Sequence, residues 1–437
     1  MIGDPFIMVC YCDFAGQVRG KGFPASELEQ RRKSGIGIAP TQMMINCFGR
    51  ITGSPWGPRG DLVLVPDQDP HAAILVDFED GTPPESFILG DIISLDGRAW
   101  QCCPRSYLRA ANRELEKEGI RILAAFEHEF YYEGVPDRLG SSYSVDAIRL
   151  ASHFPHVLIA ALRHGGLEPE SFLPEYGPRQ YEVTVRPALG VQAADRAVQL
   201  RELTRGAARR LGSRATFSPM VTRGVVGNGV HIHFSLVDLE GRSVSYDASH
   251  EYGISSVAGA FLAGILRYAD ALCAITAPSV ISYERLRPNS WSASQTNLGF
   301  RDREACIRIC PVTEKPGADI SSYNFEFRAA DAAASPYLQL GVLINAGVQG
   351  VRERLAIPEP TTRDLAQMSE NEKRRMGIRP LPQSLSDALD LLESNAQAKG
   401  LLPQELLEAY VMQKRGEILQ LDGQSDEEIC RRYADAY

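Results

Sequence analysis

The sequence predicts an α+β chain, with a small sheet domain over residues 1–100 and a larger mixed domain over 101–437. Three observations predict it. The first hundred residues break into short apolar runs separated by Gly, Pro and Asp, the pattern of strands and turns. Further on, strand-like runs carry Glu, His or Arg at alternate positions, and past Pro382 the chain reads mostly as helix. A chain of 437 residues can bury a substantial core, and length alone fits two or three domains.

In chain order, residues 6–14, 61–66, 72–78 and 91–94 read as strands, and only 25–33 has helical periodicity before residue 100. Pro104 opens a helix over 105–118, with Leu108, Ala111 and Leu115 on one face, and a strand over 121–132 follows. Residues 146–165 form an amphipathic helix with an aspartate cap, ending at a glycine pair. Another helix covers 193–212, its arginines toward the C-terminal end where the helix dipole favours them. Residues 229–236 alternate strictly as a strand. The long apolar stretch 255–278 contains Arg267 and Asp270, which makes it a buried helix rather than a membrane span. Gly400 and Pro403 punctuate the helical tail, and no repeat or low-complexity tract appears.

Successive side chains on a strand point to opposite faces, so residues two apart share one. Leu123, Ala125, Glu127 and Glu129 therefore face one way, and Ala124, Phe126, His128 and Phe130 the other. His231, His233 and Ser235 share a face opposite Val230, Ile232, Phe234 and Leu236. Glu175 with Glu182, and Glu326 with Arg328, repeat the pattern, so four strands aim polar groups into one cavity. A solvated sheet face would explain a single case. Such faces carry mixed Lys, Thr and Ser, whereas these rows carry Glu, His and Arg in otherwise apolar strands.

Five glutamates (Glu127, Glu129, Glu175, Glu182, Glu326) in one cavity repel each other unless cations neutralise them. Hard, oxygen-preferring divalent ions suit them, and a histidine among carboxylates fits Mg²⁺ or Mn²⁺ better than zinc. Arg285, Arg303, Arg308 and Arg328 follow, and guanidinium forks match carboxylates and phosphates. Metals with arginines read as a phosphoryl-transfer site.

Seven segments in order then resemble the glutamine synthetase superfamily: Glu127-His128-Glu129; Glu175 through Gln180 to Glu182; Gly227 through His231 and His233 to Leu236; Ser282 to Leu286; Asp302 to Ala305; Ile307 to Ile309; and Phe325 to Asp331, followed by Ser335 to Leu338. The resemblance implies a β-grasp-like N-terminal domain, and a catalytic domain whose antiparallel open-barrel sheet is surrounded by helices. It implies a homo-oligomeric ring with active sites between subunits, and a reaction in which ATP phosphorylates the γ-carboxylate of glutamate before an amine displaces phosphate. On that pattern Glu129, Glu175 and Glu182 hold one Mg²⁺ or Mn²⁺ ion, and Glu127, His231 and Glu326 another. His233 and Ser235 lie beside the nucleotide; Arg285, Arg328 and Gly227 face glutamate or its acyl phosphate; Arg303 and Arg308 face the transferring phosphoryl group.

Departures from the family pattern are equally informative. Ammonia-using members place a glutamate in the loop after Ser282 to Leu286, but here residues 287–294 have no carboxylate and Trp291 takes the glutamate's place. The family's ammonium-binding N-terminal aspartate is missing from residues 35–41, and Val226 stands near the place of an asparagine beside the glutamate α-carbon. An ammonium pocket needs negative charge, whereas a larger amine needs room and apolar contact. The expected acceptor is therefore an alkyl or aromatic amine, making the chain a γ-glutamyl-amine ligase. The alternatives are a glutamine synthetase using ammonia, a non-catalytic nucleotide- or glutamate-binding relative, and a carboxylate-metal hydrolase.

A net charge of -9 leaves no basic footprint for nucleic acid. No signal-peptide pattern opens the chain, and its nine scattered cysteines form no C-x-x-C pair, so a reducing cytoplasm is expected. His71, His153, His156, His164 and His250 read as structural or surface residues, and His128 points away from the site. Cys306 and Cys310 share a strand face with Arg308, which puts them within reach of substrate, but buried cysteines are usually inert. No Walker-type phosphate loop appears.

Overall fold

The computed structural model describes residues 5–138, 140, 142–310, 312 and 320–437. The first sheet contains β1 (Phe6–Cys12), β2 (Val18–Pro24), β3 (Ile36–Ile38), β4 (Leu62–Pro66), β5 (Ala73–Val76) and β6 (Glu85–Ser94). Its order is β2-β1-β6-β4-β3, with β5 on β6; β1 runs parallel to β6 and the other pairs are antiparallel. Strand β2 escapes sequence reading because its residues are Val-Arg-Gly-Lys-Gly-Phe-Pro, mostly half-buried or exposed at the sheet edge. Backbone pairing with β1 makes it a strand.

The second sheet contains β7 (Ile120–Tyr132), β8 (Pro169–Pro174), β9 (Gln180–Val185), β10 (Ala188–Leu189), β11 (Ala215–Thr216), β12 (Val230–Asp238), β13 (Leu298–Phe300), β14 (Ile307–Cys310) and β15 (Asn324–Phe327). The order is β13-β14-β15-β12-β7-β9-β8, with β10 and β11 also pairing β7. The sheet is antiparallel as expected, apart from the pairing of the short edge strand β13 with β14, which is parallel. Along β7 the alternation is as expected: Ile122, Ala124, Phe126, His128 and Phe130 are buried, while Leu123, Ala125, Glu127 and Glu129 are half-buried on the other face.

Helices cover the apolar face. Ser256–Thr276 is the helix among the described residues long and apolar enough to cross a membrane, but 83% of its apolar window is buried within the protein. It is a core helix. It crosses Pro336–Glu353 so closely that a Cβ on Gly264 would lie 2.2 Å from the Ala346 carbonyl oxygen, and one on Gly350 would lie 2.0 Å from that of Ala260. Glycine there is a condition of the packing.

The expected single helix over 146–165 is two. Val145–Ala151 is capped by Ser144, which accepts from the Ala147 N–H at 3.2 Å, and Phe154–His164 follows after a 77° bend. Ser152 stands at φ 53°, where a right-handed helix cannot continue. Both halves look amphipathic, so periodicity alone hides the break.

A buried ion network ties the first sheet to helices Pro104–Glu116, Val191–Arg210 and Pro336–Glu353. Arg105, on helix Pro104–Glu116, bonds Asp195 through two nitrogens at 2.9 and 2.7 Å, and also Asp67 and Asp91 of the first sheet's strands and turns. Tyr337 donates to Asp195 at 2.6 Å. In the helical tail, Lys414 and Glu417 form a fully buried pair at 3.0 Å, with the Tyr433 hydroxyl donating to Glu417 at 2.6 Å.

Candidate active site

Strand register assembles the site. Glu129 pairs with Glu182 across β7 and β9, Glu127 with His231 across β7 and β12, His233 with Glu326 across β12 and β15, and Glu326 with Arg308 across β15 and β14. Directly opposed residues sit within side-chain reach. Five neighbouring strands therefore contribute one continuous row of carboxylate, imidazole and guanidinium groups.

Three overlapping groups bring one ligand atom per residue within 4.8 Å of one another: Glu129, Glu175 and Glu182; Glu127, Glu182 and His231; and Glu127, His233 and Glu326. The first matches the set implied by resemblance. In the second expected set, His231 Nδ1 lies 2.8 Å from Glu127 Oε1 and 3.4 Å from Glu326 Oε1, so those residues also meet. The structure adds His233 to this cluster, with Nε2 3.5 Å from Glu127 Oε2 and 3.8 Å from Glu326 Oε1.

The electrostatics are those of an anionic cavity. Burial and the charges of Glu127, Glu129 and Glu175 push the Glu182 carboxyl up to about 11. Burial and Glu129 likewise raise Glu175. Burial would also raise Glu127, but His231 and His233 hold it well below the usual carboxylate range. Glu326 is brought to about 2, because His231, Arg328, His233 and Arg308 outweigh its burial. Burial disfavours a charged His233, yet Cys310 and the two carboxylates hold its pKa well above the ordinary imidazole value. The donor set therefore fits hard divalent cations: carboxylate oxygens predominate, and their repulsion is what an ion relieves.

The arginines differ in placement. Arg308 Nη1 lies 2.8 Å from Glu326 Oε2, and Arg328 pairs with Glu326 Oε1 while its other terminal nitrogen donates to the Trp291 carbonyl at 3.2 Å. Arg285 is buried and donates to the Ser292 hydroxyl at 2.8 Å and the Ala330 carbonyl at 2.6 Å. The Nε atoms of Arg285, Arg308 and Arg328 are buried without a hydrogen-bond partner, capacity an anion can use. Arg303 is not brought to this group; it is exposed in the turn between β13 and β14.

Gly227 and Gly229 make room for Arg285: a Cβ on the first would lie 3.1 Å from Arg285 Cγ, and on the second 3.0 Å from Arg285 Nη1. Ser235 is buried one alternation beyond His233. Trp291, the expected acceptor-pocket residue, lies in the loop over residues 287–294. It is 74% exposed and stands at φ 53°. The loop around it is held from below by Glu304, which accepts from the N–H groups of Asn289 at 3.3 Å and Trp291 at 3.0 Å. The turn residue before β14 thus supplies a carboxylate that the loop itself lacks.

Sequence reading also left several supporting residues without a role. Gln180 donates to the Gly227 carbonyl at 3.0 Å and Asn228 Oδ1 at 2.9 Å, and the Gly229 N–H donates to Glu129 at 2.6 Å. Tyr143 donates to Glu175 at 2.9 Å. Gln180 lies within the Glu175 to Glu182 segment, so its place in that motif was the available signal. His128 points into the apolar face as expected, Nδ1 3.1 Å from the Phe126 carbonyl oxygen, and burial with nearby Arg201 lowers its pKa to about 3. Of the two cysteines, only Cys310 reaches the site, 3.8 Å from Glu326 Oε2; Cys306 is buried outside β14, its N–H donated to Asn297 Oδ1 at 3.3 Å.

Comparison with known proteins bears on this arrangement. A family model described as the glutamine synthetase catalytic domain matches residues 101–433, and one described as the glutamine synthetase N-terminal domain matches 5–100. A gamma-glutamylpolyamine synthetase of Streptomyces coelicolor is 31% identical over 438 residues, covering 98% of this chain and 92% of that protein. A glutamine synthetase of Pyrococcus furiosus is 30% identical over 405 residues, covering 91% and 86%. A crystal structure described as a novel glutamine synthase homolog superposes with a TM-score of 0.91 at 40% identity, covering 100% of this chain and 99% of that one. A GmaS/ADP complex shares the fold, with a TM-score of 0.83 at 24% identity over 98% and 96% of the two chains.

Proposed function

The chain belongs to the glutamine synthetase family and is an ATP-dependent ligase, and on that premise we propose that it joins the γ-carboxylate of glutamate to an organic amine. The γ-carboxylate oxygen attacks the γ-phosphorus of ATP, ADP leaves, and γ-glutamyl phosphate forms. The amine nitrogen then attacks the acyl carbon, the bond to phosphate breaks, inorganic phosphate departs and the nitrogen loses a proton. Mg²⁺ or Mn²⁺, held by Glu129, Glu175 and Glu182 and by Glu127, His231 and Glu326, would supply neutralisation of phosphate charge. Arg308 and Arg328 are placed to bind the equatorial oxygens of the transferring group, where negative charge spreads in the transition state. Arg285, behind Gly227 and Gly229, is placed to orient the acid substrate.

The observation that carries the amine reading is the loop over residues 287–294, which contains no carboxylate yet abuts the site through Arg285 and Arg328. The polyamine acceptor in the name of the Streptomyces relative supports the same class of reaction. An alkyl or aromatic amine fits the uncharged loop. The test is ADP release from Mg²⁺, ATP and glutamate with ammonia, methylamine, isopropylamine, putrescine or aniline supplied in turn. Stimulation by an organic amine above ammonia is expected, and a clear preference for ammonia overturns the reading. One observation favours that second reading: Glu304 reaches the loop backbone and could stand in for the missing loop carboxylate.

The functional unit in this proposal is a homo-oligomeric ring, with the sheet of residues 1–100 completing the site of a neighbouring subunit. Light scattering should then give a mass several times that of one chain. The nine cysteines, all free thiols, support a reducing cytoplasmic setting.

A further inference from the structure

Strand β12 presents two histidines on the site face, and each turns a different ring nitrogen toward the carboxylates. His231 turns Nδ1 toward Glu127, at 2.8 Å. His233 is reversed: its Nδ1 lies 2.9 Å from Asn324 Oδ1, and its Nε2 is directed at Glu127 and Glu326, 3.5 and 3.8 Å away. The Asn324 amide is itself oriented, because its Nδ2 donates to the Ser322 carbonyl at 2.9 Å. With the NH₂ committed there, only the oxygen faces the ring, and an amide oxygen accepts. Nδ1 must therefore carry a proton, and Nε2, which faces the carboxylates, is the nitrogen that can exchange its own proton for a cation. Cys310 Sγ, 4.0 Å from the same Nδ1, is the more distant and weaker partner.

We propose that Asn324 is a positioning residue that fixes His233 with its proton on Nδ1, so that Nε2 acts as a cation ligand beside Glu127 and Glu326. The inference rests on the two-ion reading given above. A hydrogen bond to the non-ligating ring nitrogen is the usual way a ligand histidine is oriented, and its loss typically costs 10–100-fold in metal affinity.

The test uses the full chain with Mn²⁺ alone, without ATP or glutamate. With ¹⁵N-labelled histidine, pulsed electron paramagnetic resonance should detect two imidazole nitrogens coupled to bound Mn²⁺ in the wild type and one in His233→Gln. Asn324→Leu should lose the His233 coupling and weaken that ion's binding by about 10–100-fold in titration calorimetry. Asn324→Asp, which keeps an acceptor oxygen, should retain both couplings. A purely structural role for Asn324 would lower the melting temperature without removing one histidine's coupling. Two couplings at wild-type affinity in Asn324→Leu, or a single coupling in the wild type, overturns the proposal. A spectrum unchanged in His233→Gln does so even where Asn324→Leu fails to fold. Wild-type protein that binds no Mn²⁺ at all overturns the two-ion reading as well, which separates the two failures.

Discussion

Glu182 belongs to two of the three groups that converge in the cavity, so Glu182→Gln asks whether the cluster is built for cations. Its carboxyl is raised from 4.5 to about 11 by burial and by Glu127, Glu129 and Glu175, so the metal-free protein keeps it protonated at neutral pH. The unfolded chain ionises it near 4.5, and the folded state holds the extra proton across the interval up to about 11. Metal-free stability therefore falls as pH rises through that window. Glutamine has the shape of the protonated carboxyl and no proton to lose. In chelator at pH 8 the variant should melt at or above the wild type, with a shallower dependence on pH.

A divalent ion reverses the ranking. One ion at a hundredfold excess over its Kd stabilises the folded state by about 2.7 kcal/mol. On a chain this long each kcal/mol moves the melting temperature by roughly 1–2 °C, so the wild type should gain about 3–5 °C. The variant, lacking a carboxylate from two groups, should gain less than half of that. Thermal melts with Mg²⁺, Mn²⁺ or chelator between pH 6 and 9 read the shifts, and calorimetry in buffers of different ionisation enthalpy reads the proton released on binding. A variant that melts below the wild type in chelator yet keeps the whole metal-induced gain would refute the reasoning.

Lys414→Met should cost about 3–5 kcal/mol, because it leaves Glu417 buried without its cation, and Lys414→Met with Glu417→Leu should recover most of that in the melting temperature. Asp331 is raised from 3.8 to about 6 by burial, which Arg285 only partly offsets. The folded protein then holds an extra proton between those values, stability falls from pH 4 to 7, and the advantage of Asp331→Asn over wild type should grow across that range by about 3 kcal/mol; a flat difference in melting temperature would show an ordinary carboxyl. Glu304→Ala removes the acceptor of two loop N–H groups, so amide exchange at Asn289 and Trp291 should quicken roughly 10–100-fold while the core helices exchange as before.

The polar rows of β7 and β12 were legible in the sequence where some elements around them were not, for a physical reason. A strand buried on one side must put its polar residues on the other, so Glu127 with Glu129 and His231 with His233 declare their shared face by alternation alone. Strand β2 makes no such declaration, because an edge strand with few buried side chains can be polar throughout. The bend at Ser152 is silent too, since a positive φ in serine leaves no periodic trace.

What alternation does not give is register, and register decides roles here. His233 faces Glu326 rather than solvent because Ile232 pairs with Phe327 and Phe234 with Phe325, two apolar contacts that lock the polar pair between them. The same rows carry the residues around His233. One step back from Glu326 along its face is Asn324, and one step on from Arg308 is Cys310. Both are brought to His233 by the β12–β15–β14 pairing that places Glu326 there. A substitution that slipped β15 by one residue would therefore turn Asn324, Glu326 and Arg328 out of the cavity together, and would abolish cation binding and ligase activity in a single step while leaving the apolar content of the strand unchanged.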